Sequence, residues 1–580
     1  MAGPPEGRGE PGRLGSTKGG GQVSTKADLI LKNGFIYTVD KNRTTASAVA
    51  LGGGRILYVG DDAGVEKLAG SATEVIDLGG RMVLPGFIDS HAHASVVISP
   101  EVVLPLFEMD SLEEYLAAVA AFVEAHPRAE VIYGAGWKNE LFPPQGPRKE
   151  DLDSVVSDRP VCLTSTDGHS IWVNSKAIEL SGLTGDSPCP RGGAMEKDPA
   201  TGELWGTFRE NARDPIRKVL PPHTTPQIKG AVREFMAEAG RVGITSVHDP
   251  MLLLPGAEGD LSGFGELRNN VPAYSQLSDQ GEMTLRVRGT LLADPSQGAS
   301  QVAAMAAAAG RYRHPHFGVT GAKLFIDGVV EGSTAYLLEP YAHMPGFRGE
   351  PLWDREALNE LCAAVDRKRL QIHIHAIGDA AIRMSLDALE QARRENGPRD
   401  SRHAITHLQV VDPDDIPRFG RLGVVCVPQP FWHVKGEYFW ELEAEYLGRE
   451  RAEREYPLKS LAESGAVLAG ASDYPVQVPS PPLVGIMLGV IRREPGETDP
   501  REILGPKERM TLEEMIAAFT INGAYANFLE EETGSLEVGK KADLVVLERN
   551  LFRIPAEEIG EVEVMMTIFE GKKVFTYDRF

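Results

Sequence analysis

No run of apolar residues in this 580-residue chain is long enough to cross a bilayer, for which about 20 are needed. A helical membrane anchor is therefore not expected. Cysteine is scarce as well: Cys162, Cys189, Cys362 and Cys426 are far apart, and none belongs to a C-x-x-C pair. That argues against a disulfide framework and for a reducing compartment. Basic residues are in deficit, 60 Lys and Arg against 83 Asp and Glu, for a net charge of -23. Nucleic acids and anionic membranes both require basic patches, so neither is expected as a partner. Residues 1–26 are rich in Gly and Pro and lack the apolar centre of a signal peptide. They read as a disordered tail. The setting these features predict is soluble and cytoplasmic.

Hydrophobic residues at 42% are enough for an ample core, and the length exceeds one ordinary domain. After the tail come short strand-like runs with turn signals at Asn33-Gly34 and Gly52-Gly53-Gly54. The C-terminal 50 residues have the same hairpin texture. The two β-rich flanks either pair into one domain or form two unrelated sheets. Between them strand and helix patterns alternate. Strand candidates are the apolar run from Met82 that leads to His91, then 243–248, 285–288, 321–326, 371–375, 403–407, 424–427 and 467–472. Helix candidates are 111–126, 225–242, 299–310, 354–368 and 380–395. Eight strands alternating with helices predict an α/β fold, a (β/α)8 TIM barrel. His91 and Asp473 lie 382 positions apart, whereas a whole barrel takes roughly 250 residues. A large insertion at about 134–226, between the first two strands, accounts for the excess and would lie over the catalytic end.

His91-Ala-His93 ends the first apolar run. Side chains two apart on a strand share a face, and neutral imidazole is the commonest metal ligand. Compatible ligands recur at later strand ends: Lys323, His375, His407 and Asp473. His373 shares a face with His375, and His403 precedes His407. The later member of each pair is nearer the strand end and is taken as the ligand. Lys323 sits in an apolar strand, where lysine is rare unless paired or modified. Carbamylated by carbon dioxide it would be an anionic oxygen ligand able to bridge two metals; otherwise it would pair with a carboxylate such as Asp327. Asp473 is either a metal ligand and proton acceptor or a turn residue.

Taken together and in order, these residues resemble the amidohydrolase superfamily, and within it the YtcJ-like group. The matching stretches include Leu84-Pro-Gly-Phe-Ile-Asp-Ser-His-Ala-His, Asp167-Gly-His-Ser-Ile-Trp-Val-Asn, Lys323-Leu-Phe-Ile-Asp-Gly, His375-Ala-Ile-Gly-Asp, Ser472-Asp-Tyr-Pro-Val and Gly539-Lys-Lys-Ala-Asp-Leu-Val-Val. The likeness covers nearly everything after the tail. The sixth strand departs from the pattern, reading Ile-Thr-His where Ile-Glu-His is usual.

The resemblance implies a metal-dependent barrel over 85–529 and a small β-sandwich built from 27–84 and 530–580. It also implies one or two Zn2+ ions on His91, His93, His375, His407 and Asp473, with Lys323 carbamylated if two are present. Iron or manganese would suit the same donors. The implied activity is hydrolysis of an amide-type C–N bond in an N-acyl or N-formyl amine, with Asp473 as the catalytic proton carrier. An ester, lactone or amidine hydrolase, or a catalytically silent regulatory relative, would carry the same scaffold. A small-molecule substrate and a homodimer complete the picture. His169 and Asn174 in the insertion, Trp137, and Gln429 and Trp432 after the seventh strand are candidates for substrate contact.

Overall fold

Seven short apolar runs pair side by side into one parallel sheet in the computed structural model, which describes residues 26–97, 99–100, 102–166, 168–190, 193–255, 267–436, 439–477 and 480–578. The tail expected over 1–26 lies outside the described residues except for Lys26. The strands are β1 (Phe87–Asp89), β2 (Ile244–Leu252), β3 (Arg286–Leu292), β4 (Phe317–Phe325), β5 (Gln371–Ala376), β6 (Ala404–His407) and β7 (Val425–Val427). They stand in sequence order, and each pair is parallel. Parallel neighbours need crossovers, and helices supply them. They include α1 (Thr225–Arg241), α2 (Asn270–Asp279), α3 (Val302–Arg311), α4 (Arg355–Arg367) and α5 (Asp379–Asn396). Strand burial follows from that coverage: every residue of β2, β5 and β6 is buried.

The two edges of the sheet are joined by the segment 467–473. Cys426 N–H donates to Val467 O (2.9 Å) and Ala469 N–H to Cys426 O (2.9 Å) on the β7 side. On the β1 side Ser90 N–H donates to Gly470 O (3.0 Å) and Asp473 N–H to His91 O (2.8 Å). The eighth strand expected over 467–472 is reduced to a single parallel bridge between Cys426 and Leu468. Its end is turned by Asp473, whose φ of 61° leaves the extended region.

The first strand also differs from expectation. The apolar stretch from Met82 is broken at Gly86, with Met82–Pro85 in a flanking sheet and Phe87–Asp89 in the barrel. A Cβ on Gly86 would lie 2.3 Å from Thr245 Oγ1, so only glycine lets the chain pass β2 there. His91 and His93 therefore follow the strand rather than sharing its face.

Strands from both chain ends form the flanking sheets. Leu544–Leu547 pairs antiparallel with Met82–Pro85 in a six-stranded sheet, and Leu29–Lys32 belongs to a four-stranded one. Leu29, Leu31, Val49 and Leu51 of the smaller sheet share one apolar cluster with Val83, Leu544, Val546 and Ile568 of the larger. Between β1 and β2 a further six-stranded sheet, running from Val103–Pro105 to Leu204–Arg209, carries its own apolar clusters.

Candidate metal centre

The C-terminal ends of β1, β5 and β6 and the closing segment bring histidines and one carboxylate together. Asp473 Oδ1 lies 3.0 Å from His93 Nε2 and 3.2 Å from His91 Nε2. His91, His407 and Asp473 are all buried, and each offers a ligand atom within 4.8 Å of the other two. His375 packs against His407 with ring centroids 4.4 Å apart, and His91 is 5.3 Å from His407. Donors that share a cation about 2.1 Å away stand roughly 3 Å apart. The separations around Asp473 Oδ1 match that.

His91 and His407 are held from behind. His373, two residues before His375, places Nε2 2.8 Å from His91 Nδ1, and its ring stacks on His248 at 4.7 Å. With Nδ1 engaged, His91 presents Nε2 to the centre. His407 Nδ1 meets Gln429 Oε1 at 3.0 Å, while the Gln429 amide donates to Thr406 Oγ1 (3.0 Å). That fixes the His407 tautomer and turns its Nε2 inward. Asp89 accepts from Ser472 Oγ (2.5 Å), from Ser472 N–H (3.1 Å) and from His91 N–H (3.2 Å), and so clamps both ligand-bearing turns. His407 and Asp473 both have left-handed backbones, with φ of 74° and 61°. Non-glycine residues are held there only where surroundings over-determine them, as they do at functional sites.

The electrostatics favour neutral imidazoles facing one carboxylate. Burial, followed by the nearby Lys323, drives His91 well below the usual histidine range. Burial does the same to His407, and it takes His375 down to about 3. For Asp473 burial works the other way, but the His93 hydrogen bond and the nearby Lys323 keep its carboxyl below the ordinary value. Lys323 is fully buried and its amine has no hydrogen-bond partner. Burial brings it down to about 7, against the pull of Asp473. The alternative pairing with Asp327 is not formed. That carboxylate accepts the N–H groups of Ile377 (3.0 Å), Gly378 (2.8 Å) and Tyr336 (2.9 Å).

Other expected contacts divide. Trp432 is half-buried and stacks on His407 with centroids 5.8 Å apart, so it walls the centre. His169 pairs through Nδ1 with Glu210 (3.0 Å) in the insertion, and its charge is felt at His375. Three expectations need correction. Gln429 is fully buried behind His407, so it orients a ligand instead of meeting substrate. Asn174 is buried in the frame of the insertion. Its oxygen accepts from Val161 and Ala177, and its amide donates to Val156 and Arg159. Trp137 is buried too, with its indole bound to Leu163 O (2.9 Å).

Sequence reasoning missed His373, Asp89 and Gln429 as holders of the ligands. The signal for two of them was their i, i+2 spacing from His375 and His91. His403 lies elsewhere, bound to Asp366 (3.2 Å) and to Ile372 N–H (3.0 Å).

The donor set fits a divalent cation: neutral imidazoles, one ionised carboxylate and a buried amine without a partner. Residues 74–575 match the model of the amidohydrolase family. The chain is 29% identical to the protein YtcJ of Bacillus subtilis, over 94% of this chain and 99% of that protein. It is 31% identical to Protein LONG AFTER FAR-RED 3 of Arabidopsis thaliana, over 95% and 92%. With the N-substituted formamide deformylase of Arthrobacter pascens it shares 27% identity, over 95% and 98%. An uncharacterized metal-dependent hydrolase of Pyrococcus horikoshii has the same fold, with a TM-score of 0.73 at 24% identity, covering 91% of this chain and 99% of that one.

Proposed function

The chain belongs to the amidohydrolase family, and from that premise we propose that it hydrolyses an amide-type C–N bond of an N-acyl or N-formyl amine. The observation that carries the reading is the convergence of His91, His407 and Asp473, with His93 on the same carboxylate oxygen. The amine substrate class draws further support from the likeness to N-substituted formamide deformylase. In this reading the barrel is closed, the insertion lies over its catalytic end, and both chain ends build a β-sandwich beside it.

His91, His93, His375, His407 and Asp473 would hold one or two Zn2+ ions. Lys323 suits a second ion because burial brings its amine down to about 7, which leaves about half of it neutral at neutral pH, and the neutral amine is the form that adds carbon dioxide. The resulting carbamate, formed with loss of one proton, would give two oxygens sharing one negative charge where an amine without a hydrogen-bond partner now stands. A bound divalent cation supplies Lewis acidity, polarising a carbonyl and lowering the pKa of water from about 15.7 to about 7.

The remaining work falls to the side chains. Asp473, anchored by His93 and by the backbone of His91, takes the proton of the attacking water. It then delivers that proton to the departing nitrogen, so that amide and water become acid and amine with no net change in the carboxylate. His373 and Gln429 hold the two imidazoles that frame the carbonyl. Trp432 on one side and His169 on the insertion side bound the substrate and exclude bulk water.

The test combines elemental analysis of the purified chain with a screen of N-formyl and N-acyl amines. One or two equivalents of zinc and turnover of at least one amine class are expected. Asp473→Asn should keep the fold and lower kcat by roughly 100-fold or more, within the range for a positioned acid–base group. A chain without stoichiometric metal, or an Asn variant of undiminished kcat, refutes the reading.

A further inference from the structure

Beside the candidate metal centre two glutamates lie close together, and among the described residues no cation hydrogen-bonds either of them. Gln409 stands two residues beyond His407, and its amide nitrogen donates to both Glu443 Oε1 (2.7 Å) and Glu455 Oε1 (2.8 Å). Glu455 is fully buried, and its second oxygen, Oε2, has no hydrogen-bond partner. A buried carboxylate oxygen left bare costs free energy unless a proton or a ligand satisfies it.

Among the described residues no cation hydrogen-bonds either carboxylate, although the charge of Arg492 acts on Glu455. Arg492 spends its guanidinium on the backbone carbonyls of Leu504 (2.6 Å), Tyr456 (3.1 Å) and Glu455 (3.1 Å). Lys435 is taken by Glu453 (2.8 Å) and Arg501 O (2.7 Å). Burial and the charge of Glu331 push Glu443 up to about 8, and burial with the charge of Glu443 raises Glu455 well above its ordinary value. An arriving positive charge would relieve both.

The cluster also adjoins the reacting centre. Tyr456, next to Glu455, donates its N–H to Gln409 O (2.9 Å). It shares one apolar cluster with Trp440 and Trp432, and Trp432 stacks on His407. Trp432 thus links the candidate ligand His407 to the apolar cluster beside the glutamates, and offers an aromatic face suited to a cation.

We propose that Glu443, Glu455 and Gln409 form a subsite for a primary ammonium group on the substrate, at the end distant from the scissile bond. The assignment rests on the hydrolytic reading above and narrows it to amides bearing a positive charge. Glu455 Oε2 and Glu443 receive the ammonium hydrogens, and Gln409 keeps the two carboxylates at the spacing of one small cation.

The test compares N-(4-aminobutyl)formamide with N-pentylformamide, which replaces the ammonium by a methyl group of similar size. The zinc-loaded wild-type chain should favour the charged substrate by about tenfold or more in kcat/KM, chiefly through KM, as a charge-assisted hydrogen bond allows. Glu443→Gln and Glu455→Gln should each shrink that ratio. Calorimetry with n-butylammonium chloride gives a second measurement that needs no turnover. Binding should be seen in the wild-type chain, should release protons on comparison of two buffers, and should weaken in both variants.

Equal kcat/KM for the two formamides in the wild type, or a ratio unchanged in both variants, overturns the proposal. Potassium chloride binding as tightly as butylammonium overturns it too, in favour of an inorganic cation site. Should a variant fail to fold, the wild-type ratio and calorimetry decide. Butylammonium binding without hydrolysis of any formamide would sink the hydrolytic reading and leave the subsite standing. Hydrolysis without charge preference would do the reverse.

Discussion

Replacing Gln429 by leucine should cost metal affinity, although this side chain is fully buried and reaches none of the ligand-deficient space itself. Its oxygen lies 3.0 Å from His407 Nδ1, and its amide is spent on Thr406 Oγ1 (3.0 Å) and Val427 O (3.3 Å). Leucine has a similar volume and no acceptor. The Nδ1 hydrogen of His407 would then be buried without a partner, at about 1–3 kcal/mol. The ring can avoid that penalty by moving the hydrogen to Nε2, but the lone pair turned toward His91 and Asp473 is then lost. Either route weakens the cation, and outer partners of metal ligands are typically worth about 10–100-fold in affinity. Zinc competition against a chromophoric chelator would read this directly. Gln429→Glu keeps an acceptor at the same place and should retain most of the affinity. If the leucine variant binds zinc as the wild type does, His407 is not a ligand through Nε2, and the proposed centre is wrong.

Lys323→Met removes an amine that is buried without a hydrogen-bond partner, over the Phe325 ring at 4.7 Å. Thermal melts of the metal-free chain should show equal or higher stability, because burying a polar group unpaired is costly; zinc analysis should show at most one equivalent and no response of activity to bicarbonate. Asp366 is held at about 2 by His403, Asn396 and Arg399, against the effect of burial. Its depressed pKa means that the stabilisation, about 2 kcal/mol, is complete above pH 4 and fades as pH falls toward 2; Asp366→Asn should therefore lower denaturant stability at pH 7, flatten its acid dependence and leave zinc content unchanged. Arg286 is buried and binds Asp543 (2.8 Å) and Glu570 (2.8 Å). Arg286→Met strands the Asp543 charge and should cost about 3–5 kcal/mol in chemical denaturation, while Arg286→Met with Asp543→Leu should recover much of it.

The candidate donors were legible because each stands at or just past the end of an apolar run, where a parallel strand must end. His91, His407 and Asp473, which the fold brings together, could be read that way, and so could His93 and His375. What lay behind them could not. His373 and His375 share a strand face, and periodicity alone does not tell which imidazole faces a metal and which holds a neighbour. Gln429 follows a strand toward the catalytic end exactly as a substrate contact would, yet its side chain turns back onto His407. Asn174 reads as a polar residue in a lid, and only the fold shows four backbone groups around it. The break at Gly86 was hidden because both halves of the run are equally apolar, and the requirement for glycine comes from Thr245, far away in sequence.

The candidate metal centre sits on the seam where the two edges of the sheet are joined, and this links folding to the proposed function. Asp473 N–H bonds His91 O, His93 N–H bonds Tyr474 O (2.7 Å), and Ser472 is clamped by Asp89. These contacts join the last barrel segment to the first strand. The bonds that join the two edges of the sheet are thus the bonds that bring Asp473 to His91 and His93. A cation gripped by all three would tie the same seam, so its binding energy adds to the stability of closure. The strained backbones at His407 and Asp473 fit this arrangement. His407 is held by Gln429 from the neighbouring strand, and the turn of Asp473 by the Asp89–Ser472 contact that spans the seam. Zinc should therefore protect the amides of 467–474 and 88–93 from hydrogen exchange more than those of the flanking sheets. Uniform protection across the chain would mean that the cation stabilises the fold without tying this seam.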